Sequence, residues 1–284
     1  MLAILAPLLI SLAAFPCTEP GKGFLPKNNL KIPVNYKFAG LTKEQYDQSI
    51  DRVLKIYGPV VKKLDAELIM DRKWEDETVN AGTFRDESGK HWHINLYGGF
   101  ARHPLITQDG YTLVICHELG HHIGGAPKKV FSQGVIWSSA EGQADYFATL
   151  KCLRKVFVKD DNAQIVKEME IPESVRTECK KSFPKENDNA LCLRTSMAGL
   201  SVARVNADGR DIPPPDLEMI DPNVVGTTNT AHPEPQCRLN TYFQGAICPI
   251  PAYTNVSQTD EVKATCHPKS GYDRGLRPSC WYKP

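Results

Sequence analysis

The sequence predicts an α+β fold: a small, mainly antiparallel sheet packed on a helix pair, with a disulfide-rich helical and loop region behind it. Three observations carry this. Short runs of strand character cluster at residues 67–97, amphipathic helical spacing lies on both sides of them, and six of the nine cysteines fall after residue 178 among frequent Pro and Gly.

The elements follow in order. Thr42 can cap a helix over 43–67, with Tyr46, Ile50, Val53, Leu54, Tyr57, Val61 and Leu64 at helical spacing; Gly58-Pro59 is expected to bend or break it. Three strands are expected at Glu67–Met70, Thr78–Arg85 and His91–Tyr97, the last two joined by the turn Asp86-Glu87-Ser88-Gly89. Gly98-Gly99 closes the sheet. Thr107 caps a second helix that reaches Ile123 and stops at Gly124-Gly125. Ser138 or Ser139 caps a third, from Ala140 to about Val158. Further helices are expected near 161–182, 187–205 and after His232-Pro233, with a Pro-rich stretch at Ile212–Asp221 between them.

Composition excludes some partners. The chain has 284 residues, with 34 Lys and Arg against 33 Asp and Glu, a formal charge of +1. Without a basic surplus to neutralise phosphates, nucleic acid is not an expected partner. The apolar start MLAILAPLLISLAAF is too short for a membrane span, which needs about 20 residues. It fits the core of a secretory signal peptide cleaved after Ala14, although no Lys or Arg precedes it. A lipid anchor on Cys17 is the weaker alternative. Export, to the outside or to a periplasm, makes the cysteines disulfides. The odd count leaves Cys17 or Cys116 over, and the short loops favour Cys237 with Cys248 and Cys266 with Cys280.

The stretch CHELGHHIGG holds the chemistry. Positions four apart on a helix lie on one face, so His117 and His121 can present two imidazoles to one metal ion. Glu118, to the side of that face, can serve as general base for a water activated by the metal. A third His six residues after His121 is excluded, because Pro127 stands there. The following helix offers Glu141 as third ligand. Asp145, one turn on, can accept from the other nitrogen of His117. Glu141 can also be read as the partner of Ser138 in a capping box. Beside H-E-x-x-H, the ligand reading is preferred.

HELGHH followed by EGQAD resembles the gluzincin metallopeptidases, and most resembles the family of the CAAX prenyl protease and its soluble periplasmic relatives. The resemblance covers roughly 41–245 and implies a zincin-like fold, one catalytic Zn2+ and hydrolysis of peptide bonds. In TAHPEPQCR, with Thr230 displaced by one residue, it implies that His232 supports the oxyanion and Arg238 holds Glu141. It further implies that an Asn-Ala pair on a sheet edge, here Asn80 and Ala81, takes substrate as an added strand. The multi-span membrane portion of the prenyl protease branch is missing, so lipidated substrates are not implied.

The expected organisation is a signal peptide at 1–14, a metallopeptidase domain at 15–245 and a Cys-rich extension at 246–284 packed on it. The expected substrate is a peptide or unfolded protein. The competing readings are a secreted zinc protein that binds peptides with little turnover, such as a quality-control factor or latent precursor, and a metal-dependent amidase. His91 and His93 share a strand face, but that pattern more often belongs to sheet packing than to a metal. His122 faces away from the ligands. Tyr97, Tyr111 and Tyr242 are further oxyanion candidates, and Asn255-Val-Ser257 is a glycosylation sequon.

Overall fold

The computed structural model describes residues 23–284 except 38, 39, 132, 133 and 209; the proposed signal peptide and Cys17 lie outside the described residues. The fold is α+β. Helix α1 (Lys43–Lys62) begins at a capping box in which Thr42 and Gln45 satisfy each other's backbone N–H groups. It runs unbroken through Pro59 because Val53, Tyr57 and Val61 hold one stripe in the core on either side of the proline. It stops before the expected position 67, where Asp65 takes a left-handed backbone at φ 57°.

Strands β1 (Glu67–Lys73), β2 (Ala81–Arg85) and β3 (His91–Tyr97) form one sheet in the order β1-β3-β2. The β2–β3 hairpin is antiparallel as expected, but β1 pairs with β3 in parallel over seven residues, so the sheet is mixed. The reason lies at Gly98 and Gly99, in the short helix α2 (Gly98–Ala101) that ends β3. The connection after β1 crosses there, with Gly99 N–H donating to Asp76 O; a Cβ on either glycine would collide with the backbone of residues 74–78. That crossing carries the chain past β3 to its far side and leaves β2 as an edge.

Helix α3 (Gln108–Ile123) is capped by Thr107 and buried on every side, consistent with its apolar first half. A separate antiparallel ribbon, β4 (Lys128–Phe131) and β5 (Gly134–Ser139), leads into α4 (Glu141–Phe147). One π-helical turn, Ala148–Cys152, and α5 (Leu153–Phe157) continue α4. Helices α6 (Asn162–Lys167), α7 (Glu173–Ser182), α8 (Glu186–Ala207) and α9 (Pro235–Ile247) form a second layer, with a smaller core around Val175, Leu193, Leu200 and Leu239.

The eight described cysteines form four disulfides: Cys116–Cys152, Cys179–Cys192, Cys237–Cys280 and Cys248–Cys266. This corrects the pairings of Cys237 with Cys248 and Cys266 with Cys280. Cys237 lies near the start of α9 and Cys248 caps its end, eleven residues on. At 1.5 Å per residue they stand about 16 Å apart, and a disulfide needs roughly 4.4–6.8 Å between Cα atoms. Cys116, a candidate for the odd thiol, instead ties α3 to the end of the π turn. No helix among the described residues is long and apolar enough to cross a membrane.

Candidate metal centre

The motif histidines lie on α3 and the acidic pair on α4, and the two helices pack directly together. His117, His121 and Glu141 are buried, and one ligand atom from each lies within 4.8 Å of the others, so this group could hold a metal ion. Their orientation is fixed from behind. His117 Nδ1 lies 2.6 Å from Asp145 Oδ1, and His121 Nδ1 lies 2.9 Å from the Ser139 carbonyl. Both Nε2 atoms therefore turn toward Glu141 Oε2, at 3.2 and 3.6 Å.

The residues fit a cation on an observation of their own. His117 Nε2 and Glu141 Oε2 are buried without a well-formed hydrogen bond. Leaving such groups unsatisfied is costly, and one ion between them would serve both. Burial works against charge on His117, but Asp145 and Glu141 outweigh it and raise the imidazole to about 9. Proton and metal would compete for this nitrogen, so a cation held here would be released on acidification. His121 is the opposite case: burial and the nearby Lys129 push it well below its ordinary value, leaving a neutral ligand.

Glu141 is fully buried yet ionised. Burial alone would raise its pKa; the Lys129 ammonium, foremost, and the contact with His117 hold it well below the usual range. Lys129 Nζ lies 2.6 Å from Glu141 Oε1, which leaves Oε2 facing the imidazoles. No capping box forms at this helix start. The N-cap is Ala140 with no side-chain bond, Ser138 Oγ lies 3.2 Å from His121 Nδ1, and Ser139 Oγ donates to Gly125 O. The Glu141 carboxylate is thereby available.

Asp145 has a second partner, which corrects the expected role of Arg238. The guanidinium does not hold Glu141; it donates to both Asp145 oxygens at 2.8 Å and to the Phe24 carbonyl at 2.8 Å. Burial would raise the Asp145 carboxyl, but Arg238 and His117 hold it near 2. Arg238 lies one layer behind the ligands because its helix, α9, packs on the Asp145 side of α4.

A cleft of about 200 Å³ opens on this cluster, lined by Gly82, Thr83, Glu118, His121, Glu141 and His232 among others. Glu118 Oε1 is buried and unpartnered, and burial raises its carboxyl to about 7 despite His117. His232 Nε2 stands 3.5 Å from Glu141 Oε2 and 2.7 Å from the Gly23 carbonyl. Asn80 and Ala81 lie beside this cleft but are already engaged: Phe24 N–H donates to Ala81 O and Leu25 N–H to Asn80 Oδ1.

Tyr97, Tyr111 and Tyr242 do not line the cleft. His122 is a packing residue, stacked between Trp92 and Trp137. His91 pairs with Asp86, while His93 pairs with Asp71 and stacks on Phe84. Lys129 and Phe24, which packs edge-on against His117, went unread in the sequence. Neither carries a motif; Lys129 arrives through the β4–β5 ribbon and Phe24 from far upstream. No family model, no curated protein and no solved structure matches this chain.

Proposed function

We propose that this protein is an exported, zinc-dependent endopeptidase of zincin-like architecture, related in mechanism to the gluzincins. One observation carries the reading: two imidazoles and a carboxylate converge on one point, with a further unpartnered carboxylate, Glu118, in the same cleft. Two nitrogens and one carboxylate oxygen are a common donor set for a catalytic zinc with an open position. The metal, when bound, supplies a Lewis acid and a water acidic near neutrality. His117, His121 and Glu141 would hold it.

Within this reading Glu118 takes a proton from the attacking water and returns it to the leaving amine. His232 donates to the oxyanion of the tetrahedral state. Lys129 keeps Glu141 ionised, and Asp145 keeps His117 turned toward the ion. Because Asn80 and Ala81 are engaged by Phe24 and Leu25, an incoming peptide adds to the β2 edge beyond them, at Gly82 and Thr83. The four disulfides suit an oxidising compartment outside the cytosol.

The test is metal analysis of the purified protein together with digestion of a denatured protein. Wild type should carry one zinc per chain. Glu118→Gln should retain it and lose at least 100-fold in turnover, the lower end of general acid–base contributions. Equal cleavage by the two proteins would end this reading. The alternative, a peptide-binding zinc protein with little turnover, is favoured by the Gly23 carbonyl resting on His232. It predicts bound zinc and negligible cleavage by wild type.

A further inference from the structure

A second cavity, of about 500 Å³, lies on the other side of α3 from the metal ligands and has no part in the proposed reaction. Its walls are largely apolar, built from rings at Tyr57, Trp92, Trp137 and Phe147, from Val60 on α1 and from Leu64 just past its end. Four cationic side chains line it: Arg85, which lies over the rings of Trp92 and Trp137, and Lys128, Lys151 and Lys155. No Asp or Glu is among its lining residues.

The lysines are held only by neutral groups. Lys128 Nζ donates to Trp137 O at 3.0 Å and to Gln258 Oε1. Lys151, 1 % exposed, donates to Pro251 O at 2.9 Å, and Lys155 lies over the rings of Tyr57 and Tyr253. Among the described residues none of the three forms an ion pair. Burial pushes Lys151 down to about 7, with Arg154 and Lys155 adding to it, and pushes Lys128 down to about 8. Buried ammonium groups without counter-charge are costly unless something anionic joins them.

We propose that this cavity binds an amphiphilic carboxylate, with an anionic head beside Lys151 and an alkyl body along the aromatic walls. The direction follows from burial. Lys151 is the most enclosed cation, whereas the exposed lining residues, Leu64, Thr254, Asn255 and Gln258, are all neutral, so charge lies at depth and the mouth is uncharged. The size and apolar lining suit a small ligand with few polar groups. The inference stands apart from the metal reading, since neither its residues nor its test involves zinc or turnover.

The test is calorimetric titration of the full protein with decanoate, with 1-decanol as the neutral analogue. Decanoate should bind saturably at one site per chain, and decanol at least tenfold more weakly. Lys155→Gln, at a partly exposed position, should weaken decanoate about tenfold; Lys151→Met should do so more strongly. Circular dichroism establishes that each variant is folded, and Lys155→Gln keeps the test valid if Lys151→Met does not fold. Non-saturable uptake, equal affinity for decanol, or indifference to Lys155→Gln overturns the proposal.

Discussion

At the residue scale, the chain His117–Asp145–Arg238 decides whether the site exists. Asp145 is fully buried and makes charge-assisted bonds on both sides. Removing its charge leaves Arg238 as an uncompensated buried cation, a change that typically costs about 3–5 kcal/mol. Asp145→Asn should lose that much in urea unfolding and, under the proposed zinc reading, bind the metal roughly 10–100-fold more weakly. The pH dependence has a definite sign. The carboxyl sits near 2 in the folded protein against 3.8 for the free group, so its contribution is complete above about pH 4 and is lost as pH falls through 2. The deficit of the variant should therefore shrink on acidification; a deficit that grows would contradict the assignment. Asp145 was legible because its partner is set by two local helical spacings. Arg238 was not placed correctly, since its choice between Asp145 and Glu141 depends on how α9 packs, which no local spacing encodes.

At the element scale, the site is a contact between α3 and α4, and two features hold them together. Gly120 lies between the motif histidines, where a Cβ would meet the Ala144 backbone at 3.0 Å. Gly120→Ala should force the helices apart by a few tenths of an ångström, and zinc affinity should fall more than helix content; unchanged affinity would mean the contact is slack. The second feature is Cys116–Cys152, which closes a loop of 36 residues. Chain-entropy reasoning assigns such a loop about 4 kcal/mol. The double replacement Cys116→Ala with Cys152→Ala should lower stability by up to that amount in non-reducing urea unfolding. A loss under about 1 kcal/mol would show that packing alone fixes the pair. Helices α1 and α3 and the β2–β3 hairpin were legible because caps, periodicity and turn residues are local signals. The place of β1 was not, because pairing with β3 rather than β2 depends on the crossing at Gly98-Gly99.

At the scale of the whole molecule, the Cys-rich segment after residue 245 is part of the structure that supports the candidate metal site. It was expected as an extension packed on the domain, and its composition gave no sign of where it docks. Trp281 is fully buried with its indole against Gly142, the residue after Glu141, where even a Cβ would collide. Cys237–Cys280 anchors the tail to α9, and Arg277 donates to Gln143 on α4 at 2.7 Å. The first turn of α4 thus rests on the last residues of the chain. Truncating a buried Trp costs about 3–5 kcal/mol through lost burial and the cavity left behind. Trp281→Ala should show that loss and, because the cavity opens behind Glu141, a weaker grip on zinc as well. Bound metal adds RT ln(1 + [L]/Kd) to stability, about 4 kcal/mol at a thousandfold excess over Kd. Chelation should therefore lower the melting temperature of wild type by a larger step than that of Trp281→Ala when both start at the same free zinc, in excess of both dissociation constants. Equal steps would mean that the tail supports the fold without supporting the third ligand.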